Sequence, residues 1–260
     1  MPTVAKDIKI FAGGVDLSCA LTEINSSQVA DALDSTALCT TGAKSFVSGL
    51  KEDTLSMTGM FDYSPTGYAR IHNILDAALD PATTVVGAAG GLITTIFADG
   101  NTMNAPARLM LSAETKHETS AKVGGIIMSS ADFKARSTVI NSQGLRRGAI
   151  VFPYQTISGG VGFAAYTGGK DDAAGTDNGG VLHVHSFDTG SATNGVTGFH
   201  FQHSADNFTW VDLLDAGYVQ IISKTALRFV FAGGIKRYVR FYVNTQDNGD
   251  SIVAAAFARL

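Results

Sequence analysis

The sequence predicts a mainly β protein with a short flanking helix, folded as a β-sandwich or barrel and internally duplicated. Three observations carry this reading. Apolar side chains recur mostly at every second position, the period of a strand with one covered face. The 260 residues include 29 glycines and only 5 prolines, so turns are frequent while the strands stay unbroken. A string of strand and turn segments also recurs in the same order in the two halves of the chain.

The elements follow in chain order. Thr54 to Phe61 sets Thr54, Ser56 and Thr58 against Leu55 and Met57, which predicts a half-buried strand with one wet face. Thr66 to Leu79 predicts the helix, with Tyr68, Ile71, Ile74, Leu75 and Leu79 at helical spacing. Asp80-Pro81 ends it, because a residue before proline is pushed out of the helical region. Pro106 to Ser112 and Val123 to Phe133 predict two strands around a polar turn. Phe229 to Ala232, Tyr238 to Asn244 and Ser251 to Arg259 predict three more, and Tyr238 to Val243 is rich in aromatic and β-branched residues.

The duplication rests on matched segments. Met57 to Leu75 and Val196 to Leu214 share a strand, a serine-opened turn and an apolar-periodic run. Ile96 to Gly100 is answered by Val230 to Gly234. Each is followed by a strand holding one arginine, Arg108 or Arg240, and by a last apolar strand ending near Phe133 or Phe257. The organisation read from this is one unit over 1–140, carrying the helix, and a second, shorter unit over 149–260.

Charged residues make up only 16% of the chain and the formal net charge is −4, so there is no basic footprint for nucleic acid. Two cysteines cannot staple a chain of this length. No apolar run reaches the roughly 18 residues of a membrane span, and the opening MPTVAKDIKIF has no signal-like apolar core. Nucleophile elbows, phosphate loops and paired carboxylates are missing, so neither an enzyme nor a cofactor is expected. His183 and His185 stand at i, i+2, with His200 and His203 within twenty residues, and such a pair could share a metal. No cysteine or spaced carboxylate completes the set, and the reading is a strand whose wet face carries histidines. Gly160, Gly162 and Ala165 formally fit a dinucleotide fingerprint, but Tyr166-Thr167-Gly168-Gly169 cannot open the helix it needs. Ser204 to Trp210 resembles the Asp-box of sialidase-type β-proteins, which implies a turn tied by Ser204 and Asp206 with Trp210 in the core behind it.

GGVDLS (13–18), the stretch 31–62 ending in TLSMTGMFD, DNGGVLHVHSF (177–187), FQHSADNFTWVDL (201–213) and KRYVRFYV (236–243) follow one another in a telling order. Read whole, the chain resembles the major tail tube proteins of long-tailed, siphovirus-type bacteriophages. The resemblance implies a tail-tube fold whose inner sheets join edge to edge around a DNA channel. It also implies a structural virion protein polymerising as stacked rings, assembled in the host bacterial cytoplasm. Its partners would be further copies of itself and the tape-measure, tail terminator and baseplate proteins, and DNA would pass the lumen without specific binding. The segment 25–53 resembles the family's ring-stacking loop, which places Asp34, Thr36, Lys44 and Lys51 there. Thr54, Ser56, Thr58, Arg108 and Arg240 are the expected inter-subunit or lumen positions. Six fold units fill such a ring, so a duplicated chain would need three copies and a chain with one unit six. Strands such as 54–61 and 238–243, uncharged or mildly charged and free of proline, and an acidic balance suit this use. Two other classes stay open: a carbohydrate-binding β-sandwich adhesin module of a phage tail, and a metal-dependent hydrolase built on the histidines. The first needs exposed aromatics in a stripe, which one Trp and seven Tyr do not form along the sequence.

Overall fold

The computed structural model describes residues 7–34, 46–60, 91–136, 144–157, 162–165, 170–187, 197–214, 219–221, 224–245 and 251–260. Two short strands come first, β1 (Lys9–Ala12) and β2 (Val15–Asp16), followed by a long hairpin of β3 (Leu21–Asp34) and β4 (Phe46–Met60). Next come β5 (Leu92–Phe97), β6 (Pro106–Ser120), β7 (Met128–Ala135) and β8 (Arg146–Ile157). The second half holds β9 (Gly162–Ala165), β10 (Lys170–Asp171), β11 (Gly180–Phe187), β12 (Thr197–Ser204) and β13 (Val211–Asp212). It ends with β14 (Val219–Ile221), β15 (Thr225–Phe231), β16 (Tyr238–Thr245) and β17 (Ser251–Arg259). The chain is mainly β, as its period-two patterning predicts. The helix expected over 66–79 lies outside the described residues.

One sheet of eleven strands runs β15-β11-β17-β8-β6-β5-β1-β2, and a second of six is built on β10-β16-β12-β13. Strand β6 is where the large sheet divides. Its start pairs with β8 (Pro106↔Ala149 to Leu109↔Arg146) while β5 lies along its other side. From Ser112 onward β7 takes the place of β8, and β4 and then β3 follow outward from β7.

The large sheet folds over itself, so that three apolar layers separate four tiers of strands. Strand β17 shows the principle. Val253, Ala255 and Phe257 join Phe199, Phe201, Val239 and Phe241 of the smaller sheet. Ala254, Ala256 and Ala258, on its other face, join Phe11, Phe97 and Leu109. Strand β11 is covered on both faces in the same way, and β5 is wholly buried as well. Such strands read as unbroken apolar runs instead of alternating ones. A third layer sets Leu55, Met57, Ala131 and Phe133 of β4 and β7 against Ile10, Ile96 and Met110.

Where the fold-over brings β5 against β11, side chains make the join. Thr95 Oγ1 lies 3.0 Å from His183 Nδ1 and 2.8 Å from His185 Nε2, and all three residues are buried. A hydroxyl has one proton to give, so at least one of the two imidazoles donates to it. The remaining nitrogens, His183 Nε2 and His185 Nδ1, meet no partner among the described residues. Burial pushes His185 down to about 3 and holds His183 well below its ordinary range, where Arg228 and His185 add to the effect. The two histidines do share one strand face, as their spacing predicts. That face is dry rather than wet, because the rolled sheet covers it.

The expected duplication is not repeated in the strand pairing. Strands β5, β6 and β7 are successive antiparallel neighbours. Their counterparts separate: β15 pairs with β11, β16 with β12, and β17 with β11 and β8. The stretches 1–140 and 149–260 also share the large sheet through β6 and β8. The matched segments thus differ in their pairing; the grammar of β-hairpins fixes turns and alternation but not partners.

The buried histidines make stability depend on pH. Between about pH 6.5 and 3 the unfolded chain takes up protons that buried His185 refuses, so stability rises with pH by up to about 1.4 kcal/mol per unit. The melting temperature should therefore fall as the buffer is taken from pH 7 to pH 4. His185→Ala should cost about 2 kcal/mol or more at pH 7, through a cavity and a partner lost to Thr95, and should flatten that slope. Thermal melts across the pH series check both.

Candidate assembly surfaces

Strands β3, β4, β7 and the far half of β6 form a blade standing on the body of the protein. Period-two alternation fixes its two faces. Asp53, Leu55, Met57 and Gly59 of β4 turn inward and are buried, while Thr54, Ser56 and Thr58 are half-exposed on the outer face. The register aligns Ser27, Thr54 and Lys134 in one row, Asn25, Ser56, Asp132 and Lys116 in the next, and Glu23, Thr58, Ser130 and Glu118 beyond. Lys134 pairs with Glu52 at 2.6 Å and Lys116 with Glu118 at 2.8 Å, so both lysines of this face carry an acidic partner.

Strand β3 is the outer edge of the blade and pairs only with β4. From Ser27 to Asp34 it is exposed on both faces. Val29 and Leu33 are 56% and 58% exposed, a large apolar exposure for one strand. A second exposed apolar group, Val123, Ile126 and Ile127, sits in the turn between β6 and β7. No described strand covers the free side of β3.

The root of the blade is held by polar contacts, of which the one made by Asp53 is buried. Asp53 Oδ2 accepts the Leu145 amide at 2.8 Å, and Gln28 Nε2 donates to the Leu145 carbonyl at 2.8 Å. Arg108 donates through Nη1 to the Ser26 hydroxyl. Gly144 allows this clasp: its φ is +86°, and a Cβ there would lie 2.0 Å from Asp53 Oδ2.

The sequence-derived sites distribute unevenly over these surfaces. Thr54, Ser56 and Thr58 share one face, as alternation predicts. Asp34 and Lys51 are exposed on the hairpin arms, while Thr36 and Lys44 lie outside the described residues. The segment 25–53 is not a loop in its described parts, since 25–34 and 46–53 are paired strands. Its Ser and Thr content suited a loop, but it equally suits a strand with two wet faces. Arg108 is engaged with Ser26 and does not stand out from the surface. Arg240 sits on the smaller sheet, 4.2 Å over the Trp210 ring, with its Nε donating to Gln202 Oε1 at 2.7 Å. The two arginines therefore have unrelated settings. Asp53 was missed by sequence reasoning; a lone carboxylate on the apolar side of an alternating strand was its signal.

The turn at 204–209 behaves as its Asp-box likeness implies. Asp206 accepts the amides of Phe208 and Thr209 at 2.9 and 2.8 Å and the Ser204 hydroxyl at 2.7 Å. These donors hold its carboxyl well below the usual carboxylate range. Trp210 departs from the expectation. It is half-buried beneath Arg240 instead of plugged into the core, whose place is filled by Phe199, Phe201 and Phe241. Phe208 is 86% exposed at the turn. His200 lies with Nδ1 3.3 Å from Asp212 Oδ1, and His203 Nδ1 accepts the Lys236 amide at 3.2 Å. No group of three metal-ligating side chains occurs among the described residues.

No protein family matches the sequence, and no curated protein matches it. Solved structures similar at low identity include the following three. A chain of the virion of a native gene transfer agent particle is 13% identical with a TM-score of 0.40, over 55% of this chain and 98% of that one. A chain from the tail of an empty gene transfer agent particle, refined with C6 symmetry, is 14% identical with a TM-score of 0.38, over 53% and 96%. The Dit protein of SPP1, a hub protein of the adsorption apparatus in phages of Gram-positive hosts, is 12% identical with a TM-score of 0.35, over 97% and 99%.

The clasp at Gly144 can be tested directly. Gly144→Ala forces a side chain into a left-handed position and against Asp53, so a loss of about 1–3 kcal/mol is expected. Hydrogen exchange should quicken in β3 and β4 more than in β11 and β17. Equal quickening throughout would show that the clasp does not hold the blade in particular.

Proposed function

We propose that this chain is a structural protein of a phage tail, and that within the tail it is the ring-forming subunit of the tube. The observation that carries the reading is the outer edge of the blade. Strand β3 is fourteen residues long and holds no proline; its charges are Glu23, Asp31 and Asp34, and among them it exposes Val29 and Leu33. Edges of that length are normally blunted by charge or proline, because they template pairing with another chain. An edge left open serves a subunit whose neighbour completes the sheet. Head-to-tail joining of this kind closes into a ring when the rotation allows and leaves ring faces free to stack. The sequence resemblance to tail tube proteins supports the same reading.

The outer face of the blade suits a lumen. It offers hydroxyls, Asn25 and several carboxylates, and both its lysines are already engaged with glutamates. Free Lys or Arg would bind phosphate and slow the passage of DNA, since each contact adds affinity. This reading takes each chain as one unit and six chains per ring; the sharing of one sheet by the two halves supports it. Tape-measure, terminator and baseplate proteins would be its tail partners, with assembly in the host bacterial cytoplasm. No helix among the described residues is long and apolar enough to cross a membrane.

Electron microscopy of the concentrated pure protein should show rings or hollow tubes, and native mass measurement should give six chains per ring. Val29→Asp with Leu33→Asp should weaken association at least tenfold while the melting temperature stays within a few degrees, since both side chains are exposed. A chain that remains monomeric at millimolar concentration would overturn the proposal.

A further inference from the structure

We infer that the outer face of the smaller sheet is a binding platform for an uncharged polysaccharide. The surface lies on the far side of the protein's cores from the blade, and the inference does not depend on the tube reading. Inward positions of this sheet, Phe199, Phe201, Val239, Phe241 and Val243, are completely buried. Alternation therefore fixes Tyr238, Arg240 and Tyr242 of β16 and His200 and Gln202 of β12 on the opposite face. Pairing sets Tyr242 beside His200, and Arg240 beside Gln202, which in turn faces Asp212 of β13. The two tyrosines stand four residues apart on one strand, about 13 Å, with Trp210 under Arg240 between them. The sequence alone shows no aromatic stripe because its members come from three separate segments.

The composition of this face selects the ligand. Its formal charges are Arg240 and Asp212, together with Asp171 of β10 beside Tyr238 and the Arg237 paired with that Asp171, so the two signs balance. A nucleic acid or other polyanion needs an excess of basic groups, and a cation needs an excess of acids. Gln202, His200, Asp212 and Arg240 instead mix donors and acceptors along one row, which suits hydroxyls that both give and accept. Trp210 and Tyr238, each with a guanidinium over one ring face (Arg240 at 4.2 Å, Arg237 at 5.0 Å), and Tyr242 add the rest of their ring surface and their polar tips, to which the C–H faces of sugar rings fit.

The platform is also preorganised. His200 meets the Tyr242 ring edge to face at 5.6 Å and Asp212 at 3.3 Å, and Arg240 is fixed by Gln202 and Trp210. The Asp206 turn anchors the backbone just before Trp210 and holds Phe208 in solvent at the rim. Rings fixed before binding lose little freedom on binding, which favours affinity.

Trp210 is the only tryptophan of the chain, so its emission reports on this face alone. The full-length protein would be titrated with soluble dextran, mannan, galactan and arabinan, and with heparin as the charged control. At least one neutral polysaccharide should give a saturable change in emission, and heparin should give none. Tyr242→Ala and Gln202→Ala, both at the surface, should each weaken that response at least tenfold with an unchanged far-ultraviolet spectrum and melting temperature. No saturable response to any of the four neutral polysaccharides would overturn the inference. So would a response that both variants retain, or a quenching seen only on self-association.

Discussion

Burial of both faces of β5, β11 and β17 is the constraint from which the other features follow. A strand covered on two sides has no wet face on which to place polar residues. Its neighbours must also approach closely above and below. The alanines at 254, 255, 256 and 258 meet that demand with small volume. Gly180 meets it with none, since a Cβ there would lie 2.4 Å from the Phe257 ring. Gly148 lets β8 pass the Phe257 carbonyl, which a Cβ would approach to 2.2 Å. The polar group at the centre of this stack, Thr95 with its two histidines, is bearable because its members satisfy one another in part.

How much of this was legible in the sequence depends on which physical signal each residue carried. Alternation in 54–60 placed Thr54, Ser56 and Thr58 on one face correctly, because a pleated strand leaves no other choice. The spacing of His183 and His185 likewise gave their common side. What that side faced was not legible, since coverage comes from β1 and β5 far away in the chain. The same gap explains the duplication: hairpin grammar is local, whereas partner choice between β15, β16 and β17 is decided by long-range packing. Trp210 was misplaced because large aromatic residues are usually buried, and the cation that stacks on it lies thirty residues on.

Two surfaces of contrasting chemistry are set on this stack. The blade is rich in hydroxyls and carboxylates, with the lysines of its outer face paired to glutamates and its exposed large apolar groups at its edge and turn. The smaller sheet's outer face concentrates aromatic rings around balanced charges. Both are consequences of strand alternation acting on sheets with one free side, and they need no loop of special shape. Sites built this way inherit the rigidity of the core behind them.

Strand β6 has a mechanical consequence. Its first residues are laddered to β5 and β8 in the body, and its last to β7 in the blade. A tension applied to the blade along that strand is carried parallel to its axis, while the ladder hydrogen bonds lie across it. The load is thus borne in shear by many bonds together, and no single bond at the end is peeled first. The bulge between Glu114 and Lys116 lies inside the ladder to β7, just past Ser112, the last residue paired with β5, and it is the point at which the strand can bend under load beyond its anchorage in the body.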